Sequence, residues 1–172
     1  MTSAMEQLYQ QVILDHAKYP HGRGLGAEVG ATPGHAVGQS HQVNPTCGDE
    51  VTLRVEIDTR PGDDVGVVRT VTWDGQGCSI SQASISVLTD LVTGVGLAEV
   101  DRISESFRAL MHARGAGLDD EQEEALGDAT AFTGVAKYPA RIKCALLGWA
   151  ALRDAIARSG AGVPVTSFEE QP

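Results

Sequence analysis

The sequence predicts a mixed α/β fold of the α+β type, with a small antiparallel sheet in the first half of the chain and helices before and after it. Three observations predict this. Val51, Leu53, Val55 and Ile57 alternate with Thr52, Arg54, Glu56 and Asp58, the period-two pattern of a strand with one solvated face. Residues 66–73 form a second β-rich run, and Arg60-Pro61-Gly62-Asp63-Asp64 between them is turn chemistry, so the two runs read as a hairpin. Outside the hairpin, apolar residues recur every three or four positions, the period of helices.

The elements follow in order. Met5, Leu8 and Val12, with Tyr9, Ile13 and His16 beside them, predict an amphipathic helix over 3–17. Ser3 is its N-cap and Glu6, three residues on, completes a capping box. Tyr19-Pro20-His21-Gly22 ends it, 22–34 is a Gly-rich loop, and 35–43 reads as a first strand interrupted by Gly38. After the hairpin, Ile80, Ala83, Ser84, Val87, Leu88 and Leu91 mark a buried helix face. Ser79 and Gln82 have capping-box spacing, which starts this helix one residue beyond Cys78. Leu97, Val100, Ile103, Phe107, Leu110 and Met111 predict a helix over 97–112, broken by 114–117, and 119–126 is a short acidic helical segment. Ile142, Ala145, Leu146, Trp149, Leu152 and Ile156 predict a last long helix over 139–158, with Pro139 suited to its first turn.

The chain has 172 residues, 42% hydrophobic and 21% charged, enough for one domain with a real core. That domain is expected over 1–159, and the Gly/Pro/acid-rich stretch 160–172 as a mobile tail. The formal net charge of −10 argues against nucleic-acid binding, which needs clustered Lys and Arg, and favours solubility. No apolar run approaches the roughly 18 residues of a membrane span. Residues 1–11 carry no basic region followed by an apolar one, so no signal peptide is expected and the cytoplasm is the expected location.

Chemistry concentrates on the three cysteines, Cys47, Cys78 and Cys144. An odd count in a reducing compartment argues against structural disulfides. None belongs to a CxxC pair, so any shared site must be assembled by tertiary folding. The hairpin offers the means: Cys47 precedes its first strand and Cys78 follows its second. Cys78 also falls at a helix start, where the positive end of the dipole favours a thiolate.

Lone cysteines are often buried small hydrophobes, and Cys144 is open to that reading. However, Arg141 and Lys143 lie in or near the first turn of its helix, where each cation opposes the dipole at a cost of about 0.3–1 kcal/mol. Basic residues there lower the pKa of a neighbouring thiol instead. Asp49 reads equally as a turn residue and as the fourth, oxygen ligand of a tetrahedral zinc. Three thiolates and a carboxylate around Zn²⁺ leave a local charge of about −2, which Arg141 and Lys143 offset. The five histidines are scattered and read as solvated or hydrogen-bonded surface residues, with His41 a remote further ligand. Asp74-Gly75-Gln76-Gly77 lacks the pattern of a nucleotide loop, and its glycines read instead as permitting close backbone approach around Cys78.

Four blocks together resemble the IscU/SufU family. They are Leu8-Tyr9-Gln10-Gln11-Val12-Ile13-Leu14-Asp15-His16 with Tyr19-Pro20, Asn44-Pro45-Thr46-Cys47-Gly48-Asp49, Gly75-Gln76-Gly77-Cys78-Ser79-Ile80-Ser81, and Tyr138-Pro139-Ala140-Arg141-Ile142-Lys143-Cys144-Ala145. They stand in family order and span most of the chain. The resemblance implies an antiparallel sheet of about three strands with helices on one face and a site of three cysteines and an aspartate at one edge. Lys143 replaces the histidine that IscU proteins carry before the third cysteine, and the segment between the second and third cysteines is longer, around 114–126. Both features are similar to the SufU branch.

That branch implies Zn²⁺ held by Cys47, Asp49, Cys78 and Cys144, and sulfur transfer from a SufS-type cysteine desulfurase, with a SufBCD-type scaffold downstream. Cys47 would accept the persulfide sulfur, and Arg141 would orient Asp49 or help ligand exchange. Two rivals use the same ligands: a scaffold that assembles an iron–sulfur cluster and transfers it, and a purely structural zinc domain.

Overall fold

The computed structural model describes residues 3–59 and 66–161. The predicted turn at 60–64 and the tail beyond Ala161 lie outside them. The described elements run α1 (Ala4–Lys18), β1 (His35–Asn44), β2 (Asp49–Asp58), β3 (Val67–Gln76), α2 (Ser79–Val92), α3 (Leu97–His112), α4 (Asp120–Leu126), a 3₁₀ segment (Gly127–Lys137) and α5 (Pro139–Ser159).

The three strands form an antiparallel meander in the order β1-β2-β3. Val51, Leu53, Val55 and Ile57 on the central strand have no exposed surface, as the alternation predicted. The opposite face of β2 is less open than expected. Arg54 is buried because its Nη1 donates to the carbonyls of Leu25 and Ala27, at 2.7 and 2.9 Å, so the Gly-rich loop covers it. The first strand is not interrupted at Gly38: β1 pairs with β2 along its whole length. Gly38 is instead where α5 crosses the sheet, since a Cβ there would lie 1.8 Å from the Ala155 carbonyl oxygen.

The helices build the rest of the core. Phe107 of α3 stacks on Trp149 of α5 with ring centroids 4.6 Å apart and meets Phe132 of the 3₁₀ segment edge-on at 5.8 Å. The α3 residues singled out by periodicity are all buried. Helix α1 forms where predicted, with Ser3 Oγ accepting from the Glu6 amide at 3.0 Å. Its expected apolar stripe stays largely in solvent, with Met5 56% and Leu8 57% exposed. The helix docks through buried His16 with partly buried Ile13 and Ala17, so His16 is not the surface residue expected. The 3₁₀ segment, which no apolar period in the sequence marks, buries Ala129, Ala131, Phe132, Val135 and Ala136.

Candidate metal centre

The turn between β1 and β2 carries Cys47. The Asn44 carbonyl accepts from the Gly48 amide at 2.8 Å, the Asn44 side chain accepts from the Thr46 amide at 3.1 Å, and Gly48 adopts φ +76°, a conformation suited to glycine. Asp49 then opens β2 opposite Asn44. The hairpin returns along β3 and delivers Cys78 to the N-terminus of α2. Helix α2 starts at Ser79, one residue beyond Cys78 as expected, with Cys78 rather than Ser79 as its N-cap. The Gln82 amide bonds the Cys78 carbonyl, and the Gln82 side chain reaches back to the Gly77 carbonyl. Pro139 sets the first turn of α5 and brings Cys144 in from a third direction.

These elements gather Cys47, Asp49 and Cys144 into one group and set Cys78 beside it, against Asp49. One ligand atom each from Cys47, Asp49 and Cys144 lie within 4.8 Å of one another, with the two sulfurs 3.6 Å apart. Cys78 Sγ lies 3.4 Å from Asp49 Oδ2. Cys47 and Cys78 are exposed, whereas Cys144 and Asp49 are buried. The glycines before Cys78 make the close approach expected of them: a Cβ at Gly75 would fall 2.2 Å from the Glu50 carbonyl oxygen, and one at Gly77 would fall 3.1 Å from Asp49 Cγ.

The electrostatics are those of an anionic cluster. Burial opposes ionisation of Asp49, but hydrogen bonds from Ser81 and then from the three cysteines outweigh it and hold the carboxyl below its ordinary value. Burial pushes the Cys144 thiol upward, and hydrogen bonding to Cys47 and Asp49 and the Cys78 charge reinforce the shift. A divalent cation reverses that balance by favouring the deprotonated sulfur. The donor set fits such an ion: three sulfurs and one carboxylate oxygen suit tetrahedral zinc, and cysteine thiolates equally suit an iron–sulfur cluster.

Two residues of the motif blocks, Ser81 and Asn44, gain a supporting role that the sequence does not assign them. Ser81 is buried and its Oγ donates to Asp49 Oδ2 at 2.5 Å, while the Cys78 amide donates to Asp49 Oδ1 at 3.3 Å. Ser81 stands three residues after Cys78, one helical turn on, which is the signal that could have found it. Asn44 buries Nδ2 without a hydrogen-bond partner, a donor available beside the cysteine turn. Arg141 is exposed on the first turn of α5 with its guanidinium 5.0 Å from the centre of the Tyr138 ring. Lys143 is also exposed. His41 stands apart, bonded to Thr52 at 2.8 Å.

A family model described as the NifU-like N-terminal domain matches residues 8–158. The chain belongs to this family. Its relatives in the family include a zinc-dependent sulfurtransferase SufU of Bacillus subtilis, 37% identical over 92% of this chain and 95% of that protein. An iron–sulfur cluster assembly scaffold protein IscU of Streptococcus pyogenes is 36% identical over 91% of this chain and 87% of that one. Among solved structures, an iron–sulfur cluster assembly scaffold protein for the SUF system from Fervidobacterium islandicum superposes with a TM-score of 0.65 at 30% identity, covering 88% of this chain and 98% of that chain. A NifU-like N-terminal protein of Brucella abortus shares the fold at a TM-score of 0.70, with 24% identity over 94% of this chain and 100% of that one. The NifU-like domain seen here is therefore of the IscU/SufU type, the proteins of iron–sulfur cluster assembly. Among the described residues no helix is long and apolar enough to cross a membrane.

Proposed function

We propose that this protein is a zinc-dependent sulfurtransferase that accepts persulfide sulfur from a SufS-type cysteine desulfurase for iron–sulfur cluster biogenesis in the cytoplasm. The observation that carries this reading is the gathering of the buried Asp49 carboxylate with Cys47 and Cys144 at one edge of the sheet, with Cys78 3.4 Å from the same carboxylate. Cys47, Asp49, Cys78 and Cys144 are the proposed zinc ligands. Bound zinc would supply the charge that keeps their sulfurs deprotonated at neutral pH. Two further points favour zinc: the name of the Bacillus subtilis relative, and Lys143 where the IscU branch carries histidine.

Cys47 is the proposed acceptor. Cys144 is buried and Cys78 is fixed at the helix cap, whereas Cys47 is exposed in a turn hinged on Gly48. Its thiolate attacks the outer sulfur of the desulfurase persulfide. A new S–S bond forms on Cys47 as the S–S bond of the partner breaks, and the desulfurase cysteine leaves as a thiolate. Ser81 and the Cys78 amide already orient Asp49, so the role proposed for Arg141 is to offset anionic charge as Cys47 is freed for attack. A SufBCD-type scaffold is the proposed downstream acceptor.

The scaffold reading has its own support in the Streptococcus pyogenes IscU, almost as similar as the SufU relative. Anaerobic purification with metal analysis and a desulfurase assay separates the two. A colourless protein with zinc on its cysteines and no iron, which stimulates its desulfurase, and a Cys47→Ser variant that accepts no sulfur, are the results expected here. A brown protein whose iron and sulfide pass to an apo-acceptor would establish the scaffold instead.

A further inference from the structure

A second group of metal-ligating side chains gathers at the C-terminal end of α1, where the sulfur chemistry makes no use of it. Asp90, one of its members, lies twelve residues along α2 from Cys78, or about 18 Å at 1.5 Å per residue, so it is separate from the cysteine cluster. We propose that His16, His21 and Asp90 form a second divalent-metal site that takes an ion of the zinc, cobalt or nickel class, with the exposed Asp128 beside His16 able to turn in as a fourth ligand. One ligand atom from each of the first three lie within 4.8 Å of one another, and the two imidazole rings stand 4.9 Å apart.

Ser86 organises the pair. Its Oγ lies 2.7 Å from His16 Nδ1 and accepts the His21 backbone N–H at 2.8 Å, so one buried hydroxyl fixes both histidines. In the tautomer that donates Nδ1–H to Ser86, His16 presents the Nε2 lone pair, the arrangement found in metal-bound histidines, whose second nitrogen is held by a neighbouring acceptor. The His16 side chain is 9% exposed, and its Nε2 faces Asp128 Oδ2 at 3.8 Å. That is too long for a hydrogen bond, but it is a separation that a shared ion about 2.0–2.2 Å from each atom would span. His21 Nδ1 meets Asp90 Oδ2 at 2.6 Å, and both side chains are half exposed, free to turn toward an ion.

The donor chemistry sets the ion. Two imidazole nitrogens select zinc, cobalt or nickel over magnesium or calcium, and two carboxylates balance a +2 charge. The ligands come from α1, the loop after it, the end of α2 and the start of the 3₁₀ segment, so an ion would staple α1 to the body of the domain. Among the described residues of α1, His16 alone is buried, so an ion there would act at the deepest contact of the helix.

Metal titration of the full-length, tag-free protein tests this. The metal-depleted chain is titrated with Co²⁺ by absorption and with Zn²⁺ by calorimetry. A thiolate-bound cobalt shows sulfur-to-metal charge transfer, whereas one held by histidine and aspartate shows ligand-field bands alone, so the two sites report separately and either can fail without the other. The expected result is an equivalent bound without charge transfer. His21→Ala and Asp90→Ala should each abolish it and leave the thiolate signal in place, and Ser86→Ala should weaken it about 10–100-fold. Circular dichroism confirms that each variant is folded. The proposal is overturned if no such equivalent appears up to millimolar metal, or if folded His21→Ala and Asp90→Ala proteins bind it unchanged. In either case these contacts serve only to dock α1.

Discussion

Ser81 holds Asp49 by a 2.5 Å hydrogen bond from a position with 3% exposure, so the carboxylate is oriented before any ion arrives. Partners of this kind are typically worth 10–100-fold in metal affinity. Ser81→Ala should therefore lose zinc to a competing chelator at a free-metal level about 10–100-fold higher than the unaltered protein does, with an unchanged circular dichroism spectrum. Equal retention would show that Ser81 contributes only packing. Asp154 illustrates a second residue-level device, away from the site. Its Oδ2 accepts from Ser40 Oγ at 2.7 Å and from Arg158 Nε at 2.8 Å, and these bonds hold its carboxyl below the ordinary value. A depressed folded-state value means the stabilisation is present above about pH 4 and is lost as pH falls through the folded-state value. The side chain is 36% exposed, so screening keeps the effect small. Denaturant melts of Asp154→Asn between about pH 6 and pH 2 should show a flatter acid decline than the unaltered chain.

Helix α2 binds the molecule together through serines rather than through its apolar side chains alone. Ser81 bonds Asp49, Ser84 takes the Trp149 indole N–H at 3.1 Å and donates to the Ala145 carbonyl at 2.6 Å, and Ser86 bonds His16 and His21. One short helix thus ties together the sulfur site, α5 and α1. Helix α5 uses the opposite device, close approach. The Ala155 carbonyl leaves no room for a Cβ at Gly38, and Ile85 Cγ1 would be 2.4 Å from one at Gly148. Gly38→Ala should force α5 off the sheet and destabilise the protein on the order of 1–3 kcal/mol, read as a lowered midpoint in urea. An unchanged midpoint would mean that the helix slides at no cost. These contacts explain what the sequence disclosed. Helix α3 was legible to its end residues because its apolar positions keep a 3.6-residue period against one core face. Gly38 looked like a strand breaker because the helix that needs it is more than a hundred residues away. The 3₁₀ segment has no 3.6-residue period and was invisible. The burial of Arg54 depends on a loop whose path no local pattern encodes. At the site, the cysteine-bearing turns were readable because hairpin connectivity is local, whereas the grip of Ser81 on Asp49 emerges only once α2 meets β2.

For the whole molecule, the proposed ligands come from the β1–β2 turn, the start of β2, the cap of α2 and the second turn of α5, so an ion would cross-link four chain segments at one edge. The aromatic and aliphatic core of Trp73, Leu88, Phe107, Phe132 and Leu152 lies among the sheet and helices and includes none of those ligands. A core of that kind is expected to fold without the ion, which would add stability by binding the native state alone. At a free zinc level a thousandfold above the dissociation constant, that linkage is worth about 4 kcal/mol. In a domain of this size each kcal/mol moves the melting temperature by about 2–4 °C, so stripping the metal should lower it by about 8–16 °C. Protons compete for the same sulfurs, and burial already favours the protonated Cys144, so the gap between loaded and stripped protein should narrow as pH falls. The stripped chain should keep its far-ultraviolet circular dichroism and a cooperative melt. If chelation instead erased the secondary structure, the ion would be part of the core framework and Cys47 could not leave it to accept sulfur, which would favour the structural zinc domain over the sulfurtransferase.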